Sequence, residues 1–193
     1  MRNAKLIIMI EGAIIAGVCV ALSYIPLNTA NAAFDISLGL IPLGVFALRR
    51  GAPAGLAAGL VWGVLLIVFG KAYILTIPQV LLEYPVAFAF GGLGGLFSGR
   101  LKRLLEARGH MAVSAHIFVT VVFAGIVSAV ARWFFHFWAG VIFWGSYAPP
   151  GTSPYLYSFV MNGASALANA AVLAVLLSVI VRTAPRVFKI SDI

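Results

Sequence analysis

The sequence predicts an all-α integral membrane protein, a bundle of six transmembrane helices with both termini in the cytoplasm. Three observations predict this fold. Hydrophobic residues make up 63% of the chain, only 9% of the residues are charged, and long apolar runs recur from end to end. A soluble domain of this length has roughly a quarter of its residues charged. Residues 1–193 are therefore predicted to form a single transmembrane domain.

The apolar runs define the predicted helices in order. A helix needs roughly 20 apolar residues to cross the hydrocarbon of a bilayer. The second run is too short, at about 20 Å if helical, so it is expected in a thinned region or behind a segment that dips into the membrane. The fifth run is long enough to tilt strongly or to project from the bilayer. The predicted spans cover residues 6–25, 36–48, 52–69, 75–99, 112–145 and 156–181.

The distribution of basic residues predicts the sidedness. With the N-terminus inside, the basic clusters, including a basic loop after the fourth span, all fall on the cytoplasmic side. Only Lys71 and Arg132 remain near the outer face. The net charge of +8 is not attributed to nucleic-acid binding, because no basic face or stacking module occurs. Cys19 is the only cysteine, so no intrachain disulfide can form. The clustered residues are Arg2, Lys5, Arg49, Arg50, Arg100, Lys102, Arg103, Arg108, Arg182, Arg186 and Lys189.

A competing interpretation of the N-terminus is a cleaved signal peptide. Residues 1–33 have a basic start, an apolar core and the A-x-A-like pattern "TANAA". Cleavage would leave five spans without violating the charge rule. Glu11 inside the apolar core argues against this interpretation, and an intact mass of the purified protein would decide it.

Glycines recur every four residues in the third and fourth spans, at Gly51, Gly55, Gly59 and Gly63 and again from Gly91. This spacing lets neighbouring helix backbones approach closely, so we predict tight packing within the bundle. The "GGLGG" run lies inside an apolar helix and is not a nucleotide loop, and no Walker-type phosphate loop occurs. The chain is therefore not expected to hydrolyse ATP by that route.

The stretch "ILTIPQVLLEYPVAFAF" places Glu83 in an apolar run. A carboxylate at membrane depth is costly and usually faces a cavity or a partner. Pro85 lacks a backbone N–H, so the helix is expected to bend beside the carboxylate. The alternative is that Glu83 pairs with Arg132 and only stabilises the bundle.

The fifth span carries Arg132, His136, Gly140 and Trp144 at intervals of four residues, which places them on one helix face. The missing side chain of Gly140 predicts a hollow between the imidazole and the indole. A lone histidine with no second histidine or cysteine nearby is a poor metal site, and H-E-x-x-H is absent. We therefore expect neither a metal site nor an enzyme.

Other polar and aromatic residues are predicted near the outer ends of the spans. Aromatic rings at this depth are ordinarily interfacial anchors, and that interpretation stays open for Tyr73, Tyr147 and Tyr155. Tyr84, Phe34 and Asp35 are also placed there. Six residues from three helices converge toward the outer leaflet and would form a pocket for a small, flat, heteroaromatic cation, because aromatic faces and a carboxylate attract positive charge. They are Glu83, Arg132, His136, Trp144, Tyr157 and Asn162.

The stretches "ILTIPQVLLEYP", "HFWAGVIFWGSYAPPGTSPYLYS" and "MNGA" resemble the thiamine-specific substrate-binding (S) components of energy-coupling factor transporters, over nearly the whole chain. The resemblance implies the substrate-binding subunit of an ATP-driven vitamin transporter, with thiamine as the transported ligand and no cofactor. In this family a tryptophan of the first outer loop stacks on the ligand and a lysine often precedes the histidine by one turn. This chain has Phe34 and Arg132 there. The implied ligand-binding residues are Glu83, Tyr84, His136, Trp144, Tyr157 and Asn162, with Tyr73, Gly140, Phe34 and Arg132 as further pocket positions.

The resemblance also implies partners in the cell membrane: a transmembrane coupling subunit and two cytoplasmic ATPase subunits. Small residues of the first span contact the coupling subunit in this family, and close helix approach needs such residues. Packing within the bundle is the alternative for each of them. The candidates are Gly12, Ala13, Ala16, Gly17 and Ala21.

Three other functions stay open from the residues alone. Phe34 leaves room for an S component or small carrier that binds another heteroaromatic or cationic vitamin or precursor. An ion-coupled carrier acting alone is a second, and a membrane enzyme using His136 and Glu83 as acid and base is a third.

Overall fold

The computed structural model describes residues 2–27, 34–107 and 113–189, and no β-strand occurs in these ranges. Six helices follow one another along the described chain. Short 3₁₀ turns at Gly145–Tyr147 and Pro185–Phe188 flank the last of them. The helices are α1 Arg2–Leu22, α2 Leu40–Arg50, α3 Ala52–Val68, α4 Ile77–Ala107, α5 Ala115–Phe143 and α6 Pro154–Thr183.

Helix lengths confirm that the chain is an all-helical membrane protein. Within the described ranges α4, α5, α6 and α1 from Ala4 onward are long and apolar enough to cross a bilayer. α3 is apolar but has 17 residues, and α2 has 11 residues, or about 16 Å of helix. The second predicted span is therefore as short as expected. Six crossings stay a prediction.

α4 is longer and less regular than predicted. It consists of an α-helical turn, a π-helical turn at Leu82–Val86, a further α-helical turn, a 3₁₀ segment at Gly91–Phe97 and the α-helix Ser98–Ala107. Arg100 and Arg103 lie in this last α-helix, so the prediction of a loop here is wrong. The "TANAA" stretch and Arg108 lie outside the described residues.

The glycine repeat of α3 packs against the backbone of α4. A Cβ atom added to Gly59 would overlap the carbonyl oxygen of Phe88, and one added to Gly63 would overlap that of Tyr84. Gly55 lies in the same way against Gly92. The two helices therefore touch backbone to backbone, and the predicted tight packing is confirmed. This contact fixes the position of residues 83 and 84 along the axis of α3.

α1 is built into the bundle through one face and an ion pair. Gly12 and Ala16 are buried, and Gly12 packs against the Phe46 ring. Nε and Nη2 of Arg50 donate to the two carboxylate oxygens of Glu11, each at 2.6 Å. This charge-assisted, two-pronged bond is of the strong kind, and it ties the first helix to the second.

The small residues of α1 divide between two faces. Gly12 and Ala16 lie on the buried face of α1. The structure therefore supports a role in packing within the bundle for these two residues. The exposed set, spaced at intervals of four residues, consists of Ala13, Gly17 and Ala21.

Candidate ligand-binding site

The π-helical turn of α4 carries Glu83 and Tyr84 and contains Pro85. Proline cannot donate the backbone hydrogen bond of a regular helix, and single π turns within α-helices are frequent at functional sites. The turn follows an N-terminus capped by Thr76, whose Oγ1 accepts from the Gln79 N–H at 3.2 Å. Gly63 of α3 backs the turn directly. The carboxylate therefore belongs to an irregular turn that packs against the α3 backbone.

Neutral donors hold the Glu83 carboxylate. Nε1 of Trp144 donates to one oxygen at 2.6 Å, and Nε2 of Gln79 donates to the other. Gln79 is completely buried, and its side chain also bonds the backbone of Tyr73 at 3.1 Å and of Leu75 at 2.9 Å. Every polar group of this glutamine is therefore used, and it fixes both the carboxylate and the loop before α4.

The alternative pairing of Glu83 with Arg132 is wrong. Arg132 lies 3.6 Å from Asp35, measured from Nη2 to Oδ2, and its guanidinium lies 4.4 Å from the centre of the Phe88 ring. Among the described residues no ion pair includes Glu83. A carboxylate within an apolar, membrane-span-like helix that has no cationic side-chain partner is an unusual feature, and a positively charged ligand would explain it.

Aromatic rings surround the carboxylate. The Trp144 indole lies between the rings of Tyr73 and Tyr147, with centroid distances of 5.2 and 5.5 Å. The hydroxyl of Tyr84 accepts from the Tyr73 N–H at 2.8 Å, and its ring stacks on Phe88 at 5.8 Å. The predicted residues Tyr73, Tyr84 and Trp144 are therefore brought together around Glu83.

A second group of side chains, most of them polar, lines a partly open cavity of about 90 Å³. The Phe88 ring touches both groups, because it also lies 6.2 Å from the His136 ring. The residues that line the cavity are Asp35, Leu40, Ala129, Arg132, Trp133, His136, Asn162, Ser165, Ala166 and Asn169.

Three nitrogen atoms of these lining residues are buried without a hydrogen-bond partner in the described part of the chain: Nε of Arg132, Nε1 of Trp133 and Nε2 of His136. Buried polar groups are normally paired, and an unpaired one destabilises the protein. The arginine and tryptophan atoms are obligatory donors. The cavity is therefore suited to a ligand that offers hydrogen-bond acceptors.

Asn169 holds Asp35 at the cavity. This buried amide donates to the Asp35 carbonyl oxygen at 2.7 Å and accepts from the Ser37 N–H at 2.8 Å. Oγ of Ser165, one helical turn earlier, accepts from the Asp35 N–H at 3.1 Å. α6 thus anchors residues 35–37, which places the Asp35 carboxylate against Arg132.

Sequence reasoning missed Gln79, Trp133, Ser165 and Asn169 as site residues. Part of the signal was present, because Asn162, Ser165 and Asn169 recur at helical spacing on one face of an otherwise apolar span. Gln79 precedes Glu83 by one helical turn. Trp133 gave no such signal, since it is one of many aromatic residues in α5.

The hollow predicted at Gly140 does not exist. A Cβ added there would overlap the side chains of Ser158 and Asn162, so the glycine admits α6. The predicted stripe also divides, because α5 ends at Phe143 and Trp144 lies just beyond it. His136 therefore faces the cavity, whereas Trp144 bonds the carboxylate of α4.

Two predicted ligand-binding residues, Tyr157 and Phe34, are not among the residues that line the cavity. Tyr157 is half-buried in the first turn of α6. Phe34 is half-buried beside Asp35. Tyr73, Tyr147 and Tyr155 are all exposed, so the interpretation as interfacial anchors stays open for all three.

Comparisons with known proteins identify the family. The family model described as "Thiamine transporter protein (Thia_YuaJ)" matches residues 9–189. The chain belongs to the thiamine transporter family. The prediction made from the motifs is therefore confirmed, and the chain is a multi-pass membrane transport protein rather than an enzyme.

Individual members of the thiamine transporter family align along most of their length. The thiamine transporter ThiT of Lacticaseibacillus paracasei is 37% identical over 99% of this chain and 94% of its own length. ThiT of Bacillus subtilis is 31% identical over 80% of this chain and 79% of its own. A solved structure of ThiT from Listeria monocytogenes superposes with a TM-score of 0.91 at 42% identity, covering 97% of this chain and 100% of that one.

Proposed function

We propose that this chain is the substrate-binding subunit of an ATP-driven uptake transporter and binds thiamine near the outer face of the membrane. The observation that carries the proposal is the Glu83 carboxylate, held by Gln79 and Trp144 with no ion pair among the described residues. Burying an unpaired charge is costly. A cationic ligand would compensate this cost, and thiamine carries a permanently charged thiazolium ring.

In this proposal the side chains around Glu83 bind one end of the ligand, and the side chains that line the cavity bind the other end. The charged end lies at Glu83 and Trp144, because carboxylates and indole faces both attract cations. The acceptor atoms of the other end point to the unpaired donors of Arg132 and Trp133. A cavity of about 90 Å³ is smaller than the roughly 300–1,000 Å³ of pockets for drug-sized ligands. It therefore receives part of the molecule, and the rest spans Phe88.

Isothermal titration of the detergent-solubilised protein with thiamine tests the proposal. We expect saturable binding of one thiamine per chain. No heat of binding at micromolar thiamine, in protein shown to be folded by its circular dichroism, would overturn it. Titration with an uncharged analogue of similar size is the control, and it should bind more weakly because the carboxylate gains nothing from it.

Trp144 should contribute more to binding than the exposed Tyr155. Trp144→Ala removes both the ring and the donor that holds Glu83, so thiamine affinity should fall by about 10-fold or more, the scale of a hydrogen bond to a charged group. Tyr155→Ala should change it by less than about threefold, since this ring is exposed. Titration of both variants measures the difference, and the reverse ranking would remove Trp144 from the site.

We further propose six crossings with both termini cytoplasmic, and a coupling subunit with two ATPases as partners.

The exposed stripe of Ala13, Gly17 and Ala21 on α1 is the surface we assign to the coupling subunit, because small residues allow close helix contact. Gly17→Leu, at a position where an added Cβ meets nothing within 4 Å, should reduce copurification with the coupling subunit several-fold. Thiamine binding by the isolated chain should be unchanged. Full copurification would contradict this assignment.

A further inference from the structure

A lipid-facing groove lies between α5 and α6, apart from the proposed thiamine site. Its volume is about 430 Å³. Phe118 and Val122 of α5 form one wall, and Val175 and Val179 of α6 form the other. Arg182 closes one end. Ala174 and Ser178 of α6 also line the groove, which is therefore mostly apolar and basic at a single end.

The groove has the length of one membrane leaflet. On α6 it runs from Ala174 to Arg182, which is nine residues with a rise of about 12 Å. One leaflet contributes about half of the roughly 30 Å of hydrocarbon. Arg182 lies one residue before the end of the helix at Thr183. A lipid acyl chain lying in the groove would therefore place its polar headgroup at the membrane surface, beside the guanidinium of Arg182.

The charge of Arg182 is not compensated within the described chain. The side chain is exposed and takes part in none of the ion pairs there. Arginine forms paired hydrogen bonds with phosphate, and basic residues at the cytoplasmic surface attract anionic lipids. The basic clusters place Arg182 on the face predicted to be cytoplasmic.

The composition of the lining decides between a lipid and a partner helix. Close helix association in membranes uses small residues at the contact. Ala174 and Ser178 are small, but the bulkier side chains of Phe118, Val122, Val175 and Val179 make up most of the rest of the lining. A flexible acyl chain fits between such side chains. A zwitterionic headgroup neutralises its own phosphate, whereas an anionic headgroup leaves that charge for the guanidinium.

We propose that the α5–α6 groove binds one anionic glycerophospholipid, with an acyl chain between Phe118 and Val175 and its phosphate at Arg182. Delipidated protein in detergent would be supplied with dioleoyl phosphatidylglycerol or dioleoyl phosphatidylcholine at equal mole fraction. Native mass spectrometry counts retained lipids, and the thermal midpoint reports stabilisation. We expect one retained phosphatidylglycerol and a higher midpoint than with phosphatidylcholine.

Two variants separate the headgroup contact from the acyl contact. Arg182→Gln should abolish the preference for phosphatidylglycerol. Val175→Trp, at a lipid-facing position, should fill the groove and abolish retention while Arg182 remains. Arg103→Gln, an exposed arginine of α4, is the matched control and should keep both properties.

Three results would overturn the proposal. They are equal retention of the two lipids by the unmodified protein, undiminished phosphatidylglycerol retention in both groove variants, and an equal midpoint shift with inorganic phosphate alone. The last would indicate a free-anion site rather than a lipid site.

Discussion

Glu83→Gln is expected to weaken thiamine binding by about 1–3 kcal/mol, which is roughly 5- to 150-fold in the dissociation constant. The substitution keeps the size of the side chain and an oxygen for the Trp144 donor, but removes the negative charge that faces the ligand. Titration calorimetry of the two proteins measures the effect directly.

Folding stability should respond differently from binding. A partly buried carboxylate without an ion pair is costly to the free protein, so its neutral replacement should leave the thermal midpoint unchanged or raised. Loss of affinity without loss of stability would be typical of a binding residue rather than a structural one. Glu106→Gln, an exposed acid near the other end of α4, is the control and should alter neither quantity. Unchanged affinity in Glu83→Gln would return this residue to a structural role.

Gly63→Ala is expected to lower both stability and affinity. The added methyl group would overlap the Tyr84 carbonyl, and because backbone lies on both sides the helices must move apart. Overpacking of this kind costs about 1–3 kcal/mol of the free energy of unfolding. The same displacement shifts the π-helical turn that carries Glu83, so thiamine affinity should fall as well. Thermal unfolding with and without thiamine measures both effects.

Gly99→Ala is the matched control for this prediction. Gly99 lies in α4, and a Cβ there meets nothing within 4 Å. Alanine stabilises a helix interior by about 0.5–1 kcal/mol relative to glycine, so this variant should be equally or more stable and should bind thiamine normally. If the two alanine variants behaved alike, the contact between α3 and α4 would not position the site.

The fold was largely predictable because hydropathy and charge act locally along the chain. The glycine repeat predicted close backbone packing within the bundle, since side-chain size limits backbone approach, but not which helix would be the partner. The path of α4 through Arg100 and Arg103 was not predictable, because those charges favour a helix end only statistically. Tertiary packing decides where such a helix ends.

The sequence singled out individual candidate residues but not their contacts. Glu83 and His136 were singled out because polar groups within apolar spans are costly and usually have a specific role. Their partners depend on which helix faces meet, so Glu83 was assigned one alternative partner in Arg132, which the structure pairs with Asp35. The prediction of a hollow at Gly140 was wrong for the same reason. An absent side chain can admit a neighbouring helix as readily as a ligand.

The extra residue in the turn at Leu82–Val86 makes the length of this segment as important as its composition. Deleting one residue there would restore a regular helix, but each helical residue rotates the chain by about 100°. The residues before the deletion, with the Gln79 side chain and the loop that carries Tyr73, would then swing round the helix axis relative to the rest of the bundle and away from Trp144. Shortening the segment by one residue should therefore dismantle the site even if every side chain named here were retained.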